Sequence, residues 1–384
     1  VNTTSIQLDG LGWDTEPNGS ARNISGNNTL LGGIILLGSS RSHVESGSLT
    51  MSGVVSGNGS LLKTGTSFLI LDGSSGNTFT GGVYLNDGDL TLNKSSGLAI
   101  PSNEIIVGDT QGTDDTARLI VNTSDQFNSS ADITIELDGF LTYENVGTTN
   151  NISNITMNEG GHAKLAGTSV ISGTIEMRGA LLQMLETSSI SSNSIFCTVS
   201  GVESLIIGDP LTLSASTFTF NTETFNDSNK CRVANIIQGS ANIVVAGRGI
   251  TFDGANTYTG STTVNDQSFL YVGHNTALGN SSSGTTVISG GAIALYNSVT
   301  IASEPLSLSG AGTFLAGTLC SCEGTNNYGG VITLSGASGV LIATISNSVL
   351  TISGGITGNI DNGLQFHKYN SGSCLLYTSD AADE

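Results

Sequence analysis

Charge is scarce in this chain. Asp, Glu, Lys and Arg make up 11% of its 384 residues, against about 25% in ordinary soluble domains. Only 11 residues are Lys or Arg, so the formal balance is −20. That balance disfavours nucleic acid and anionic membrane surfaces as partners, because both select basic patches. Proline is nearly missing, with 4 residues beside 52 glycines, which excludes collagen and proline-rich linkers. Aromatics amount to 5%, with one Trp, so platforms for sugar stacking are sparse. No run of 18 apolar residues occurs, so no transmembrane helix is expected, nor direct membrane insertion of this fragment. No basic and apolar leader opens the chain, which starts at Val1; it reads as an internal fragment.

What is present is repetition. Asn77-Thr78-Phe79-Thr80-Gly81 runs through to Leu85-Asn86-Asp87 as Asn256-Thr257-Tyr258-Thr259-Gly260 runs through to Val264-Asn265-Asp266. Leu49 to Asn58 likewise echoes Leu350 to Asn359, from Leu49-Thr50-Met51-Ser52-Gly53 against Leu350-Thr351-Ile352-Ser353-Gly354. Asn and Gly tolerate the backbone of tight corners, and β-prone runs flank them, such as Gly249-Ile250-Thr251-Phe252 and Ser261-Thr262-Thr263-Val264. Each unit therefore reads as strand, corner, strand. One such unit cannot bury its apolar side alone, so units must stack.

Further strands are expected near Gly33–Leu37, Ser48–Met51, Phe68–Leu71 and Val83–Leu92, then at Ile105–Val107, Ala117–Val121 and Ile133–Leu137. The rhythm continues at Ile155–Met157, Ala163–Leu165, Val170–Ile171, Thr174–Met177 and Ser204–Ile207. Short strands separated by Gly, Asn and Ser are an all-β signal. A sandwich or barrel would satisfy strand spacing alone; repetition and length favour a solenoid. Leu69, Leu71, Leu90, Leu92, Ile133, Ile135, Ile206, Val264, Leu334 and Ile352 are the expected core. Met177 to Glu186 is the nearest approach to an amphipathic helix.

The repeated segment resembles the passenger-associated transport repeat of autotransporter (type V secretion) passengers. Gly59-Ser60-Leu61-Leu62-Lys63-Thr64-Gly65 leads into Phe68-Leu69-Ile70-Leu71-Asp72-Gly73 and then Asn77-Thr78-Phe79-Thr80-Gly81; the second copy keeps Gly254 to Gly260 without the Lys-Thr-Gly lead-in. Gly290-Gly291-Ala292-Ile293 and Phe218-Thr219-Phe220-Asn221 each resemble short motifs of chlamydial polymorphic membrane proteins. The resemblance implies a right-handed parallel β-helix (a β-solenoid) over 24–373, with 1–23 as an incomplete rung or loop. It also implies a cell-surface, outer-membrane or extracellular location, a membrane β-barrel beyond this fragment, and a host or neighbouring-cell surface protein or glycan as partner.

Residues 374–384 break the local composition. Cys374-Leu375-Leu376-Tyr377-Thr378-Ser379-Asp380-Ala381-Ala382-Asp383-Glu384 reads as a one-frame translation of the transposon-end adapter used in sequencing libraries. It is expected to be non-native, to add no rung and to make no core contact. The native protein is then expected to continue past Ser373.

Chemistry-bearing motifs are few. Cys197, Cys231, Cys320 and Cys322 show no zinc spacing. Buried or surface thiols, or one disulfide, account for them, with Cys320 and Cys322 facing the same way if that segment is a strand. Gly65-Thr66-Ser67 and Gly167-Thr168-Ser169 match a serine-protease tripeptide without its continuation or partners. Lys63-Thr64 follows Leu62 where a phosphate-binding loop needs Gly. His43, His162, His274 and His367 are scattered and are expected at solvated turns. Gly108 to Asp115 gathers three carboxylates without a recognised calcium spacing.

No catalytic, cofactor-binding or metal-ligating residue is assigned, and no cofactor is expected. The reading is non-catalytic display or adhesion. The rival is a carbohydrate-active β-helix enzyme, a polysaccharide lyase or glycosidase. It would gather acids from Asp109, Asp114, Asp115, Asp132, Glu136 and Asp138 around Arg118 in one cleft.

Overall fold

A computed structural model describes residues 4–12, 19–111, 116–145, 147, 149–185, 189–198, 202–222, 231–312, 317–335, 339–345, 347–358, 364–368 and 372–376, the backbone alone at 168–170 and 364–368. The chain is a parallel β-helix, and it divides into two compact units, Val1–Ser192 and Asn193–Glu384.

In the first unit the strands recur in the same order on each turn. One sheet climbs from Ala21–Asn23 through Ser40–Val44, Leu61–Thr64, Val83–Leu85 and Glu104–Val107 to Ile175–Met177. A second climbs from Asn27–Leu30 through Ser48–Met51, Phe68–Gly73, Gly88–Lys94 and Ala117–Val121 to Leu181–Met184. Shorter strands close further faces, as where Ile6–Leu8 pairs with Ile34–Leu36. The period of two along each strand places one side chain in the core and the next outside. Parallel register then stacks like on like: Leu49, Leu69, Leu90, Leu119 and Leu141 are successive partners, and all are buried. Shortening one such Leu to Ala costs about 2–5 kcal/mol, so the ladder is a principal source of stability.

The second unit repeats the plan. Thr217–Thr222, Asn242–Ala246, Thr262–Val264, Thr285–Val287, Leu306–Ser309 and Ile332–Ser335 follow one another in one sheet. Cys231–Val233, Ile250–Phe252, Phe269–Val272, Ala292–Leu295 and Leu319–Ser321 follow in another. Ile250, Leu270, Ile293, Leu319 and Ile342 form its apolar ladder. All ten expected core residues are buried.

Three local expectations are corrected. The expected strand Val83–Leu92 is two strands, Val83–Leu85 and Gly88–Lys94, with a corner between them. The Lys63 ammonium holds that corner by donating to the carbonyls of Thr64, Gly65 and Asp87 at 3.1, 2.6 and 2.8 Å. The helix candidate from Met177 contains the strand Leu181–Met184 instead, with Leu182 and Met184 buried and Leu181 and Gln183 half-buried; Glu186 lies outside the described residues. Burial alternates along this strand with period two, and pairing with His162–Leu165 outweighs helix propensity. Finally, Ser373–Leu376 forms a strand on Val349–Ile352, so the segment from Cys374 does extend a sheet. The last strand of a sheet exposes unpaired N–H and C=O groups to whatever extended chain follows. Leu375 and Leu376 remain largely exposed, and 377–384 lie outside the described residues.

Candidate functional site

The repeated Asn-Thr-aromatic-Thr-Gly segment proves to be a structural clamp. Asn77 accepts from the Val55 N–H at 2.9 Å and donates to the Ala99 carbonyl at 2.8 Å. Asn256 does the same between Ile237 N (2.8 Å) and Ala277 O (2.6 Å). Each buried amide thus ties its own turn to the turn before and the turn after. Phe79 and Tyr258 are buried in the core beside them, and the Tyr258 hydroxyl meets Thr262 Oγ1 at 2.5 Å. A Cβ on Gly81 would overlap the backbone of Gly59, and one on Gly260 the Ala241 carbonyl, so close approach of two turns requires glycine at this corner.

The carboxylates named for a catalytic cleft are held in separate pairings. Asp138 is buried in the turn before Gly139–Tyr143. It accepts from the backbone N–H groups of Asp109 (2.9 Å) and Thr110 (3.2 Å) and from the Thr116 hydroxyl (3.2 Å), fixing both ends of the loop. Asp109 accepts from Asn86 and from Gln111 N, Asp132 from Asn154, and Glu136 from Asn158. The Arg118 guanidinium forms a bidentate pair with Asp89 at 2.7 and 2.5 Å. Asp114 and Asp115 lie outside the described residues. Asp109 and Asp138 are therefore brought together as a loop brace, while Arg118 is engaged with Asp89.

The histidines are corrected in part. His43 is buried within Ser40–Val44 and lies 2.9 Å from Thr64 Oγ1; burial is the main cause that lowers its pKa. His162 lies in the strand His162–Leu165 and stacks on Phe140 with centroids 4.3 Å apart. Each occupies a strand position because its neighbours in register supply a ring face or a hydroxyl. His274 sits in a bend and accepts from Thr276 N, and the side chain of His367 lies outside the described residues. The cysteines are free thiols. Cys320 and Cys322 face the same way, 3.8 Å between sulfurs, and burial pushes the Cys197 thiol up. Ser67 donates to the Gly47 carbonyl at 2.5 Å, a structural role for the first Gly-Thr-Ser.

Two features escaped the sequence reading. The first is Glu304, buried, with Oε1 accepting from Thr285 at 2.7 Å and Oε2 buried without a hydrogen-bond partner among the described residues. Burial raises its pKa to about 7.

The second is a groove of about 300 Å³ on the outer side of the second unit, lined by Glu203, Arg232, Thr251, Tyr271, Tyr296, Cys322 and Glu323. Arg232, Thr251, Tyr271, Ala294 and Cys320 occupy one register position on successive strands. Ala294, Cys320 and Ala343 make a buried layer of small side chains against which Phe269, Tyr271 and Cys322 pack. Tyr271 is braced by Phe269 (centroids 4.7 Å) and by Tyr296 (6.4 Å, edge-on). The Tyr296 hydroxyl crosses Gly273 to donate to Asp253, and a Cβ at Gly273 would overlap both groups. Asp253 also accepts from Arg232 Nε at 2.5 Å. Burial, then the bond to Asp253, raises the Tyr296 pKa, and the same carboxylate raises that of Arg232; both groups keep their protons at neutral pH. No sequence signal marks these residues, most of which lie a full turn from one another along the chain.

Compared with known proteins, the chain matches no family model, no curated sequence and no solved structure.

Proposed function

We propose that the chain is a non-catalytic passenger of the autotransporter type, a β-helix displayed at a bacterial cell surface or released from it, which adheres to a host or neighbouring-cell surface protein or glycan. The observation that carries this reading is the character of the outer faces. On the second unit Thr263, Thr286, Ser307, Thr333 and Thr357 stand at one register position on consecutive strands, every one exposed or half-buried. Hydroxyls and amides meet across turns beside and along this column, as Ser307 with Ser335, Thr333 with Thr357 and Ser353 with Asn327.

Such a face offers many weak hydrogen bonds at regular spacing rather than one reactive centre. Affinity then builds through multivalency along a repeating surface and between neighbouring copies. The repeat resemblance supports the surface location and a membrane β-barrel as its anchor.

The test incubates the purified chain with cells, matrix proteins and a panel of acidic and neutral polysaccharides, following retention, reducing ends and unsaturated products. Saturable retention without turnover is expected. Turnover that disappears in Asp109→Asn, Asp132→Asn or Asp138→Asn would establish a carbohydrate-active enzyme instead.

A further inference from the structure

We propose that the groove over Tyr271 is a subsite for a neutral glycan, an extended run of pyranose rings laid across successive turns; this rests on the adhesive reading above. Small-ligand sites combine apolar, aromatic walls with a few placed polar groups, and this groove has both. Its wall is the Tyr271 ring, fixed by Phe269 and Tyr296. Beneath the ring lies the buried row Ala294, Cys320 and Ala343, which supports Tyr271 from below while its half-buried ring lines the groove. The C–H face of a sugar ring packs on such a surface, and its rim of hydroxyls reaches outward.

Polar groups stand where those hydroxyls would go. Glu203 and Glu323 lie among the lining residues with Thr251 and Arg232, supplying acceptors and donors. Charge selects among sugars. The Arg232 cation is paired with Asp253, which leaves the Glu203 and Glu323 carboxylates to set the sign of the groove, on a chain of net charge −20. Uronates and sialylated sugars are repelled; uncharged hydroxyls are not.

Spacing selects the direction. Strands stack about 4.8 Å apart, close to the advance per ring of an extended glycan, so successive rings fall over successive turns, one of them over Tyr271. The groove is also preorganised. Tyr296 is locked across Gly273 onto Asp253, so little side-chain freedom remains to be lost on binding.

The experiment titrates the full chain with neutral gluco-, galacto- and manno-configured tetrasaccharides and with tetragalacturonate, alongside cell and matrix retention. At least one neutral tetrasaccharide should bind saturably and tetragalacturonate should not. Tyr271→Ala should weaken that binding several-fold, up to about tenfold, the loss expected for one aromatic contact. Tyr271→Phe should retain binding, and Glu323→Gln should weaken it several-fold. If Tyr271→Ala loses its β-sheet circular dichroism, Cys322→Trp, which fills the groove from a half-buried position, carries the test and should abolish binding. Neutral binding that survives both groove variants would overturn the site. Stronger binding of tetragalacturonate would overturn the charge argument. Retention on cells or matrix protein without any tetrasaccharide binding would overturn the ligand class and leave the adhesive reading standing. Absence of both would overturn the two together.

Discussion

Replacing Asn256 by Ala removes one side chain from the corner that the repeat conserves between its two copies. The amide is buried and bridges three turns, accepting from Ile237 N at 2.8 Å and donating to Ala277 O at 2.6 Å. Truncation leaves a buried N–H and a buried C=O without partners, each costing about 1–3 kcal/mol. The expected local loss is about 2–6 kcal/mol, or a roughly 30- to 25,000-fold rise in the open population. A stacked-repeat protein need not unfold in one step, so a global midpoint would blur the effect. Hydrogen exchange read on peptides covering Ile237–Gly239 and Thr276–Leu278 resolves it. Protection should fall there and much less around Val340–Thr344. Asn256→Asp keeps the acceptor for Ile237 but turns a carboxylate oxygen toward the Ala277 carbonyl, so at neutral pH it should be no milder than Ala. Unchanged protection of the Ile237 amide in Asn256→Ala would refute the clamp.

Gly260→Ala should destabilise the same corner by about 1–3 kcal/mol, since its Cβ would overlap the Ala241 carbonyl and backbone must shift to relieve it; thermal melting beside wild type checks this. Glu304 predicts a pH dependence. Its pKa rises from 4.5 to about 7 on folding, so its proton stabilises the folded chain fully below pH 4.5, and that contribution is lost as pH climbs toward 7. After allowance for solvent screening the span is about 1–2 kcal/mol, and Glu304→Gln should flatten that part of a stability-against-pH curve. Deleting 374–384 unpairs the outer edge of Val349–Ile352. Exchange should quicken in those few amides while the apolar ladder from Ile250 to Ile342 keeps its protection; a loss spreading through the ladder would show that the tail packs as native chain.

The strands were legible because their physics is local. Short β-prone apolar runs at Phe68–Leu71 and Ala117–Val121, and alternation at Ile155–Met157, carry their own signal, and parallel stacking of Leu69, Leu90 and Leu119 follows once identical units must bury identical faces. The corners were legible as composition but not as chemistry. Asn77 and Asn256 stood out because they recur, yet nothing in either segment reveals that the amide points inward to Val55 and Ala99, or to Ile237 and Ala277. The role of Lys63 was hidden for a related reason. A lysine beside Thr and Gly suggests solvent or phosphate, whereas its ammonium is buried against three carbonyls, and burial lowers its pKa only to about 8.

The acidic cluster and the aromatic groove show why proximity along a solenoid sequence misguides the search for a site. Neighbours in sequence lie on one turn, and half of them point into the core. Asp132, Glu136 and Asp138 are close along the chain, but Asp132 opens a strand, while Asp138 turns inward to brace the loop at Asp109. Residues that share a surface patch are instead a full turn apart. Arg232, Thr251, Tyr271 and Ala294 become a column only through register. Their spacing also varies with the lengths of the intervening corners, so no fixed period exposes them. A sparse aromatic content argued against sugar stacking because it was averaged over the chain. Phe269 and Tyr271 stand two residues apart on one strand and Tyr296 follows the next strand, so three rings meet in one patch although the chain-wide average is low.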